Sequence, residues 1–361
     1  MVRATAGVIR EHGELPRLEH VEVGPIRSNE VLVEVEAVGV CRTDTEFGQF
    51  WSLPAVLGHE GVGIVAATGD QVTYVVPGDR VLMTYNHCGG CRWCLDGSPA
   101  YCRQFDALNF SGARPDGSSA LRREDEQLHA HFLGQSSFAT HAVANEHSLV
   151  KVPRDIPAEV LAPFGCGFQT GAGTVLNVLR PGPGDSIAIF GAGAVGLAAV
   201  GAAAAAGARN ITAVDLDPSR LAKAQAMGAT YTVDGSADDV AAAVLEVAPD
   251  GYDASIDTTG VQQVLRSATS VLHTRGTCAV VGVGPSTEIS LDWRTLLNGR
   301  TLTGVIAGSS VPRVFLPRLI ELYRSGRFPV DRLIDVQPFE ELPKAFDASR
   351  SGQVIKAVLQ V

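Results

Sequence analysis

The chain has 361 residues, of which 45% are hydrophobic and 19% charged, the balance of a compact globular protein. That length exceeds one ordinary hydrophobic core, so two domains are expected. Thirty-nine acidic residues against 29 basic ones give a net charge of −10, and no basic run of the kind that binds nucleic acid occurs.

The first segment, MVRATAGVIREHGE, lacks the long apolar run of a signal peptide. The most apolar stretch, residues 194–207, is broken by glycines and too short to span a bilayer, which predicts a buried helix. We therefore expect a cytoplasmic protein without a membrane partner. In that compartment, clustered cysteines bind metal more often than they form disulfides.

An alternating run at residues 30–40, EVLVEVEAVGV, predicts a strand, and Cys41 follows it in GVCRTD. His59 lies between glycines in GHEGVG, and Cys166 lies in GCGFQTGAG. A catalytic zinc needs three protein ligands and one open position, and two cysteines with one histidine form such a set. The residues alone leave open whether these side chains converge, because each also suits an ordinary buried position.

Four of the seven cysteines lie in one loop, HCGGCRWCLDGSPAYC, at residues 87–102. The spacing C-x2-C-x2-C-x7-C predicts a closed, tetrahedral structural zinc site made of Cys88, Cys91, Cys94 and Cys102. An iron–sulfur cluster is an alternative that the x7 gap disfavours. Four unrelated thiols are another, disfavoured by the regular gaps. Cys278 has no Cys or His neighbour in its strand-like run and is predicted to be a core thiol.

Residues 186–196, SIAIFGAGAVG, predict a buried strand followed by the G-x-G-x-x-G sequence of Gly191, Gly193 and Gly196. A helix and the strand NITAVD follow, which is the context of a dinucleotide-binding site. The glycines permit a tight turn and close approach of a pyrophosphate to the helix N-terminus. Asp215, at the end of the second strand, can accept ribose hydroxyls and would repel a 2′-phosphate, which favours NAD over NADP. A glycine-rich turn of another α/β fold is the alternative.

Strands and helices continue to alternate beyond Asp215. Helices are predicted at 218–228 and 237–248, and strands at 251–257, 276–284 and 300–308. This alternation predicts a doubly wound parallel sheet and an α/β fold class.

The order of these motifs resembles that of the zinc-dependent, medium-chain alcohol dehydrogenases over nearly the whole chain. The stretches LNFSGARPDG, FLGQSSFATHAV and CGFQTGAGTVLN are most similar to bacterial aryl-alcohol (benzyl alcohol) and geraniol dehydrogenases. The resemblance implies a GroES-like, β-rich catalytic domain at residues 1–166 and 307–361. It also implies a Rossmann NAD-binding domain at residues 167–306.

The resemblance further implies that Cys41, His59 and Cys166 hold a catalytic zinc. Asp44 matches an acid that hydrogen-bonds the zinc-bound histidine, a contact that fixes the orientation of the ring. Glu60 matches an acid near the metal that is not a resting ligand. Together with the four-cysteine loop, this gives two zinc ions per chain.

Cofactor contacts and pocket positions also follow from the resemblance. It implies pyrophosphate contacts from Arg42 and Lys356, adenosine-ribose contacts from Asp215 and Arg220, and a nicotinamide-side position for Thr170. Without the motif, the three basic residues would be interpreted as solvated surface charges. Pocket positions that suit a flat, apolar alcohol fall on Phe50, Trp51, Thr84, Phe132 and Leu133.

The implied activity is hydride transfer between NAD and a primary alcohol/aldehyde pair, aromatic or allylic, in a homodimer or homotetramer. Thr43 matches the hydroxyl that takes the alcohol proton. Glu46 stands where many family members have a histidine that ends a proton relay, so the route from Thr43 to solvent is not defined. The alternatives are a general or short-chain aliphatic alcohol dehydrogenase, a zinc-free reductase of the same superfamily, and a zinc-stapled binding protein.

Overall fold

The computed structural model describes residues 1–284 and 288–361, which form two compact units. The first comprises Met1–Cys166, Val311–Pro317 and Leu333–Val361, and the second comprises Gly167–Ser310 and Arg318–Arg332. Residues 307–310 and 318–332 therefore pack with the second unit, whereas the predicted boundaries assign them to the first. In the described ranges, no helix is long and apolar enough to cross a membrane.

The first unit is built on two sheets, whose strands are numbered here in chain order. They are β1 (Val2–Ile9), β2 (Arg17–Val23), β3 (Glu30–Gly39), β4 (Ala55–Val56), β5 (Gly61–Thr68), β6 (Arg80–Met83), β7 (Leu121–Arg123), β8 (Glu126–Gln127), β9 (His141–Asn145), β10 (Leu149–Lys151), β17 (Ile334–Pro338) and β18 (Lys356–Gln360). One sheet has the order β4-β1-β2-β7-β8. The other has the order β10-β6-β5-β3-β18-β17, with β9 also paired to β3.

Strand β3 organises the site described below. The predicted strand at residues 30–40 is confirmed, and most of its side chains are buried because β5, β9 and β18 all pair with it. Its pairing with β5 places Val38 opposite Gly61. The residues that follow β3 therefore lie beside those that precede β5.

Short helices connect the strands of the first unit. They are α1 (Arg42–Phe47), α2 (Arg92–Leu95), α3 (Phe105–Asn109), α4 (Ala158–Leu161) and α12 (Leu342–Ser351), while α11 (Pro312–Arg324) runs across the boundary between the units. Helix α1 begins directly after Cys41, whose extended backbone ends the preceding strand segment. The chain thus turns sharply at the first predicted zinc ligand.

The second unit contains one parallel sheet flanked by helices. Its strands are β11 (Ser186–Phe190), β12 (Asn210–Asp215), β13 (Tyr231–Asp234), β14 (Tyr252–Asp257), β15 (Leu272–Val280) and β16 (Thr301–Gly304). Its helices are α5 (Gly167–Gly173), α6 (Ala194–Ala206), α7 (Pro218–Ala226), α8 (Val240–Val247), α9 (Gln262–Ser270) and α10 (Trp293–Leu297). The order β13-β12-β11-β14-β15-β16 is that of a Rossmann fold, which confirms the predicted doubly wound sheet.

Two predicted strands have different bounds in the structure. The strand predicted at 276–284 starts earlier, at Leu272, and ends at Val280. After Val280 the N–H groups of Val281 and Gly282 both donate to Asp257 O, at 2.9 and 3.0 Å, so the regular ladder of the strand ends. Gly282 and Gly284 then pack against the backbone of Gly260, where an added Cβ would come within 2.4 and 1.9 Å of backbone atoms. The strand predicted at 300–308 covers only Thr301–Gly304. Cys278 is fully buried in the core of this unit, as predicted.

Candidate active site

Four possible metal ligands converge in the first unit. The ligand atoms of Cys41, His59, Glu60 and Cys166 all lie within 4.8 Å of one another. The pairing of β3 with β5 brings the first three together, and Cys166 joins them just before α5. The structure therefore brings together the Cys–His–Cys set that spacing alone left open.

Asp44 fixes the imidazole of His59. Asp44 Oδ1 lies 2.8 Å from His59 Nδ1 and accepts a hydrogen bond from the Gly58 N–H, while Oδ2 accepts one from the Cys41 N–H at 2.9 Å. In the neutral ring whose proton is on Nδ1, beside the carboxylate, the lone pair lies on Nε2. That atom is buried and has no hydrogen-bond partner among the described residues. An unpartnered imidazole nitrogen beside two sulfurs suits a metal ion.

The two thiols of this cluster differ in acidity. The Cys166 thiol hydrogen-bonds to the Cys41 sulfur, and this bond, together with the charge of Lys356, holds the pKa of Cys41 well below its usual value despite burial. The same bond, with burial, raises the pKa of Cys166. Burial disfavours charge on His59, but Asp44 and Cys41 outweigh burial and raise the pKa of the imidazole. The cluster thus attracts positive charge, which a bound cation can supply.

Lys356 pairs with Glu60 inside the first unit. Its Nζ donates hydrogen bonds to both carboxylate oxygens at 3.0 Å and to Val40 O at 3.1 Å. Burial raises the pKa of Glu60 to about 7, against the opposing effect of the ammonium. Burial disfavours charge on Lys356, but the Glu60 carboxylate outweighs burial and raises the pKa of the amine. The amine lies beside the ligand cluster, and its predicted pyrophosphate contact stays a prediction.

Thr43 and Glu46 occupy different surroundings on α1. Thr43 Oγ1 lies 3.7 Å from Cys41 Sγ, next to the cluster. Glu46 Oε1 accepts a hydrogen bond from Arg42 Nε at 2.7 Å, with 73% of the Arg42 side chain exposed. The predicted proton acceptor is therefore near the ligands, whereas the acid that replaces the expected histidine is engaged in a surface ion pair.

An aromatic cluster lies against the imidazole of His59. The Phe132 ring meets it edge-on, with 5.5 Å between centroids. Trp51 and Phe47 contact Phe132 at 5.0 and 5.2 Å, and Phe110 stacks on Phe47 at 4.8 Å. The sequence analysis did not identify Phe47 and Phe110, although Phe110 lies in the LNFSGARPDG stretch.

The other predicted pocket residues have separate environments. Phe50 is 65% exposed and packs on Phe47. Leu133 is buried. The buried Thr84 donates its hydroxyl hydrogen to Gly165 O at 2.7 Å.

The four cysteines of the 87–102 loop form a second cluster. Their sulfurs lie within 4.8 Å of one another, with 3.9 Å from Cys88 to Cys94, 3.6 Å from Cys91 to Cys94 and 3.9 Å from Cys91 to Cys102. A zinc ion bound tetrahedrally at about 2.3 Å requires sulfur–sulfur distances of about 3.8 Å. Backbone N–H groups and neighbouring thiols lower the pKa of Cys91 to about 6, whereas burial and neighbouring thiols raise the pKa of Cys94 to about 12. The geometry fits a closed zinc site.

The glycine-rich turn of the second unit has the features of a dinucleotide site. Gly191 has a φ of +93°, and a Cβ at Gly196 would lie 1.8 Å from Gly191 O, so the turn and the close helix–strand packing both require glycine. A Cβ at Gly193 would meet no atom within 4 Å, so the turn is open to a ligand there. Asp215 Oδ2 accepts a hydrogen bond from the Ala192 N–H at 2.6 Å, which places the carboxylate beside the turn.

The remaining predicted cofactor residues of the second unit lie on helices. Thr170 is half-buried in α5, and its carbonyl accepts a hydrogen bond from Thr174. Arg220 lies on α7, 3.8 Å from Asp217, with 25% of its side chain exposed. The predicted contacts of Arg220 with the ribose and of Thr170 near the nicotinamide stay predictions.

Comparison with known proteins identifies the family. Residues 27–154 match the alcohol dehydrogenase GroES-like domain, and residues 194–324 match the zinc-binding dehydrogenase family. A geraniol dehydrogenase of Castellaniella defragrans is 42% identical, over 99% of this chain and 98% of the relative. The chain belongs to the zinc-binding alcohol dehydrogenases.

Solved structures agree with this assignment. The alcohol dehydrogenase zinc-binding domain protein from Burkholderia ambifaria is similar with a TM-score of 0.97 and 45% identity, covering 100% of this chain and 99% of that one. The benzyl alcohol dehydrogenase from Acinetobacter calcoaceticus is similar with a TM-score of 0.96 and 40% identity, covering 100% of both chains. The α/β architecture of a GroES-like domain and a Rossmann domain is therefore confirmed.

Membership in the zinc-binding alcohol dehydrogenases gives each cluster a chemical interpretation. Cys41, His59 and Cys166 supply the three protein ligands that a catalytic zinc requires, with Glu60 beside them in the cluster. The four-cysteine set supplies all four ligands of a closed site. The open turn at Gly193 and the carboxylate of Asp215 suit NAD.

Proposed function

We propose that this alcohol dehydrogenase oxidises primary alcohols whose hydroxyl-bearing carbon adjoins an aromatic ring or a double bond, with NAD as the acceptor. One observation carries the proposal: the edge of Phe132 against His59 places an aromatic cluster beside the metal ligands. The names of two relatives, a geraniol dehydrogenase and a benzyl alcohol dehydrogenase, support the substrate class. A general or short-chain aliphatic specificity is the alternative.

The residues of the first unit have distinct roles in this proposal. When bound, zinc would supply a Lewis acid for the alcohol oxygen, and NAD would supply a hydride acceptor. Asp44 holds the Nδ1–H of His59 and so keeps Nε2 available as a ligand atom. Thr43 Oγ1 takes the hydroxyl proton of the alcohol while its own hydroxyl proton passes on to water, so that the threonine stays neutral, and its place beside Cys41 supports that role. Phe132 covers His59 with apolar surface, and Trp51 packs against Phe132, so that this side of the ligand cluster excludes water.

The second unit holds NAD in this proposal. The turn at Gly191, Gly193 and Gly196 would cradle the pyrophosphate, and Asp215 would accept the ribose hydroxyls. Arg42, Thr170, Arg220 and Lys356 are further proposed cofactor contacts. The functional division into a catalytic domain and an NAD-binding domain follows the sequence prediction, with residues 318–332 packed on the NAD side.

A substrate panel tests the specificity. We expect benzyl alcohol and geraniol to have a kcat/KM at least about tenfold above that of ethanol, because a desolvated apolar contact of this size discriminates by such factors.

The choice of cofactor is tested separately. NAD should be strongly preferred over NADP, and Asp215→Ala should reduce the ratio of the kcat/KM for NAD to that for NADP. Asp234→Ala, at the end of the neighbouring strand, is the matched control and should leave it unchanged. A higher kcat/KM for ethanol would contradict the substrate class, and equal use of both cofactors would contradict the role of Asp215.

The protein is also proposed to be a cytoplasmic homo-oligomer. None of its seven cysteines is paired in a disulfide, which supports a reducing compartment. Ile289, Trp293 and Leu297 are 60%, 65% and 69% exposed on or next to α10, which leads into the edge strand β16. Apolar side chains at a sheet edge favour pairing with a second copy. Light scattering should give a dimer or tetramer, and a monomeric mass would contradict the assignment.

A further inference from the structure

The side chain of Gln135 lies between two backbone groups that flank Glu60. Gln135 Nε2 donates a hydrogen bond to His59 O at 2.9 Å, and Gln135 Oε1 accepts one from the Gly61 N–H at 3.2 Å. The residue is only 2% exposed. A buried amide with both ends bonded has one defined orientation, so it fixes the backbone that carries His59.

The segment that carries Gln135 has an unusual backbone. His131, Leu133 and Ser136 have φ values of +61°, +46° and +53°, in the left-handed region that residues with a Cβ rarely adopt. Hydrogen bonds hold this conformation: the Ser136 hydroxyl donates to Val56 O at 2.6 Å, and it accepts from the Phe132 N–H at 2.9 Å. Three such residues within six positions indicate that the segment is constrained, and one result is the inward placement of Gln135.

Thr84 makes a corresponding contact with the backbone that carries Cys166. Its hydroxyl donates to Gly165 O at 2.7 Å, one residue before Cys166, and the side chain is fully buried. Gln135 Nε2 also lies 3.5 Å from Thr84 O. Gln135 and Thr84 therefore form a continuous polar connection between the backbone at His59 and the backbone at Cys166.

We propose that Gln135 and Thr84 are positioning residues that set the spacing of His59 and Cys166 and so hold the geometry of the catalytic metal site. His59 and Cys166 come from loops more than a hundred positions apart in the sequence. In the four-cysteine cluster a single short loop sets the spacing of the ligands, whereas here hydrogen bonds between distant loops have to set it. Asp44 orients the imidazole ring, whereas Gln135 and Thr84 fix the backbone from which the ligands extend. This inference rests on the proposed catalytic metal site.

The experiment uses the two metal sites of one chain as reference for each other. The full-length enzyme is loaded with zinc, and release of each ion to a chromogenic chelator is followed in time. Gln135→Met removes both polar contacts at similar side-chain volume. The variant should speed release of the ion from the catalytic site at least about tenfold, since loss of a contact that orients a ligand typically costs 10–100-fold in metal affinity. The rate of release from the four-cysteine loop should not change. A general loss of stability would instead speed release from both sites.

Thr84 offers a second pair of variants if Gln135→Met does not fold. Thr84→Val removes the hydroxyl at constant shape and should also speed release of the catalytic ion, whereas Thr84→Ser should restore the wild-type rate. Thr212→Val is the matched control. Thr212 is a fully buried threonine of the second unit whose hydroxyl bonds Tyr252 at 2.7 Å, and its loss should leave both release rates unchanged.

Cobalt substitution supplies a readout of geometry besides activity. The absorption bands of cobalt at the catalytic site should shift in Gln135→Met and Thr84→Val and should be wild-type in Thr84→Ser and Thr212→Val. If Gln135→Met and Thr84→Val both had wild-type rates of zinc release and wild-type cobalt absorption bands, the positioning role would be overturned and the proposed function would stand. Equal acceleration at both metal sites would also overturn the positioning role. A wild-type enzyme with metal only in the four-cysteine loop would overturn the inference together with the proposed function.

Discussion

Lys356 Nζ lies 3.0 Å from both carboxylate oxygens of Glu60, and the two side chains are 2% and 0% exposed. The residues are far apart in the sequence, and β18 brings Lys356 to the end of β3. A buried ion pair adds little net stability compared with an apolar pair, but removing one partner leaves an uncompensated charge. The pair therefore makes the position of the Glu60 carboxylate depend on Lys356.

Lys356→Met should lower the free energy of unfolding by about 3–5 kcal/mol, the cost of breaking a buried pair. The matched control is Arg324→Met, which breaks an exposed pair with Glu321 and should cost about 1 kcal/mol or less. The double variant Lys356→Met/Glu60→Gln should recover part of the loss, because no unpaired carboxylate remains. Urea denaturation measures all three, and equal losses in Lys356→Met and Arg324→Met would contradict the importance of burial.

Cys91→Ser should reduce the zinc content from two ions to one and lower the melting temperature, because structural zinc binding contributes directly to folding. Cys166→Ala should instead abolish turnover and leave the zinc of the four-cysteine loop in place. Cys278→Ala, in the core of the second unit, is the control for loss of a thiol and should keep both ions. Metal analysis with thermal denaturation checks these variants. Two zinc ions and an unchanged melting temperature in Cys91→Ser would show that the loop has no structural role.

The features that sequence predicted well are those that lie within short segments. The four-cysteine loop and the turn at Gly191 each place their functional atoms through a few local residues, so spacing determines the geometry. The strands β11 and β12 were equally clear, because buried parallel strands are continuous apolar runs. The convergence of Cys41, His59 and Cys166 needed the family resemblance, since it depends on the pairing of β3 with β5.

What sequence did not predict depends on contacts between distant segments. Lys356 was assigned to the cofactor from its motif, and only β18 reveals the buried Glu60 beside it. Gln135 carries no signal of its function, because a single glutamine in FLGQSSFATHAV has no spacing or partner in the sequence that marks a contact with His59. Phe110 follows α3 directly and packs in the aromatic cluster. No hydrophobic periodicity in the sequence distinguishes it from an ordinary core residue.

The ion pair of His273 and Asp253 should make the stability of the second unit depend on pH. Asp253 accepts a hydrogen bond from His273 at 2.9 Å and raises the pKa of the imidazole above its ordinary value. Burial opposes charge on Asp253, but Ser186 and His273 outweigh burial and lower the pKa of that carboxyl. The folded protein thus binds the histidine proton more tightly than the unfolded chain does, and holds the Asp253 proton less tightly.

The pair should therefore stabilise the protein between about pH 4 and pH 6.5, and less as the pH rises through the raised pKa of His273. His273→Gln keeps a hydrogen-bond donor but cannot gain a proton. The stability difference between wild type and this variant should be larger at about pH 5.5 than at about pH 8.5. The stability difference should stay under about 1 kcal/mol at either pH, because the side chains of His273 and Asp253 are 35% and 39% exposed. Denaturation curves that give the same difference at both pH values would contradict the assignment.

Thr43 and Glu46 test the route of the proton. Thr43 Oγ1 lies beside Cys41 Sγ, whereas Glu46 is held in an exposed ion pair with Arg42. We expect Thr43→Val to lower kcat by about 10²–10⁴, the range of a positioned acid–base group, and Thr43→Ser to keep much of the activity. Glu46→Gln should cost about tenfold or less, because a group bonded to Arg42 at the surface is an auxiliary base at most.

Arg42→Gln separates the two possible functions of Glu46. It frees the carboxylate without removing it, so a change in kcat that matches that of Glu46→Gln would indicate that the ion pair matters rather than the proton. Because Arg42 is itself a proposed cofactor contact, the KM for NAD is measured alongside kcat in both variants. With zinc content and NAD binding intact, a thousandfold loss of kcat in Glu46→Gln would show that this carboxylate, and not water beside Thr43, carries the proton to solvent. A small loss in Glu46→Gln together with a large one in Thr43→Val would place the proton acceptor at Thr43, where the position of Oγ1 beside the ligand cluster favours it.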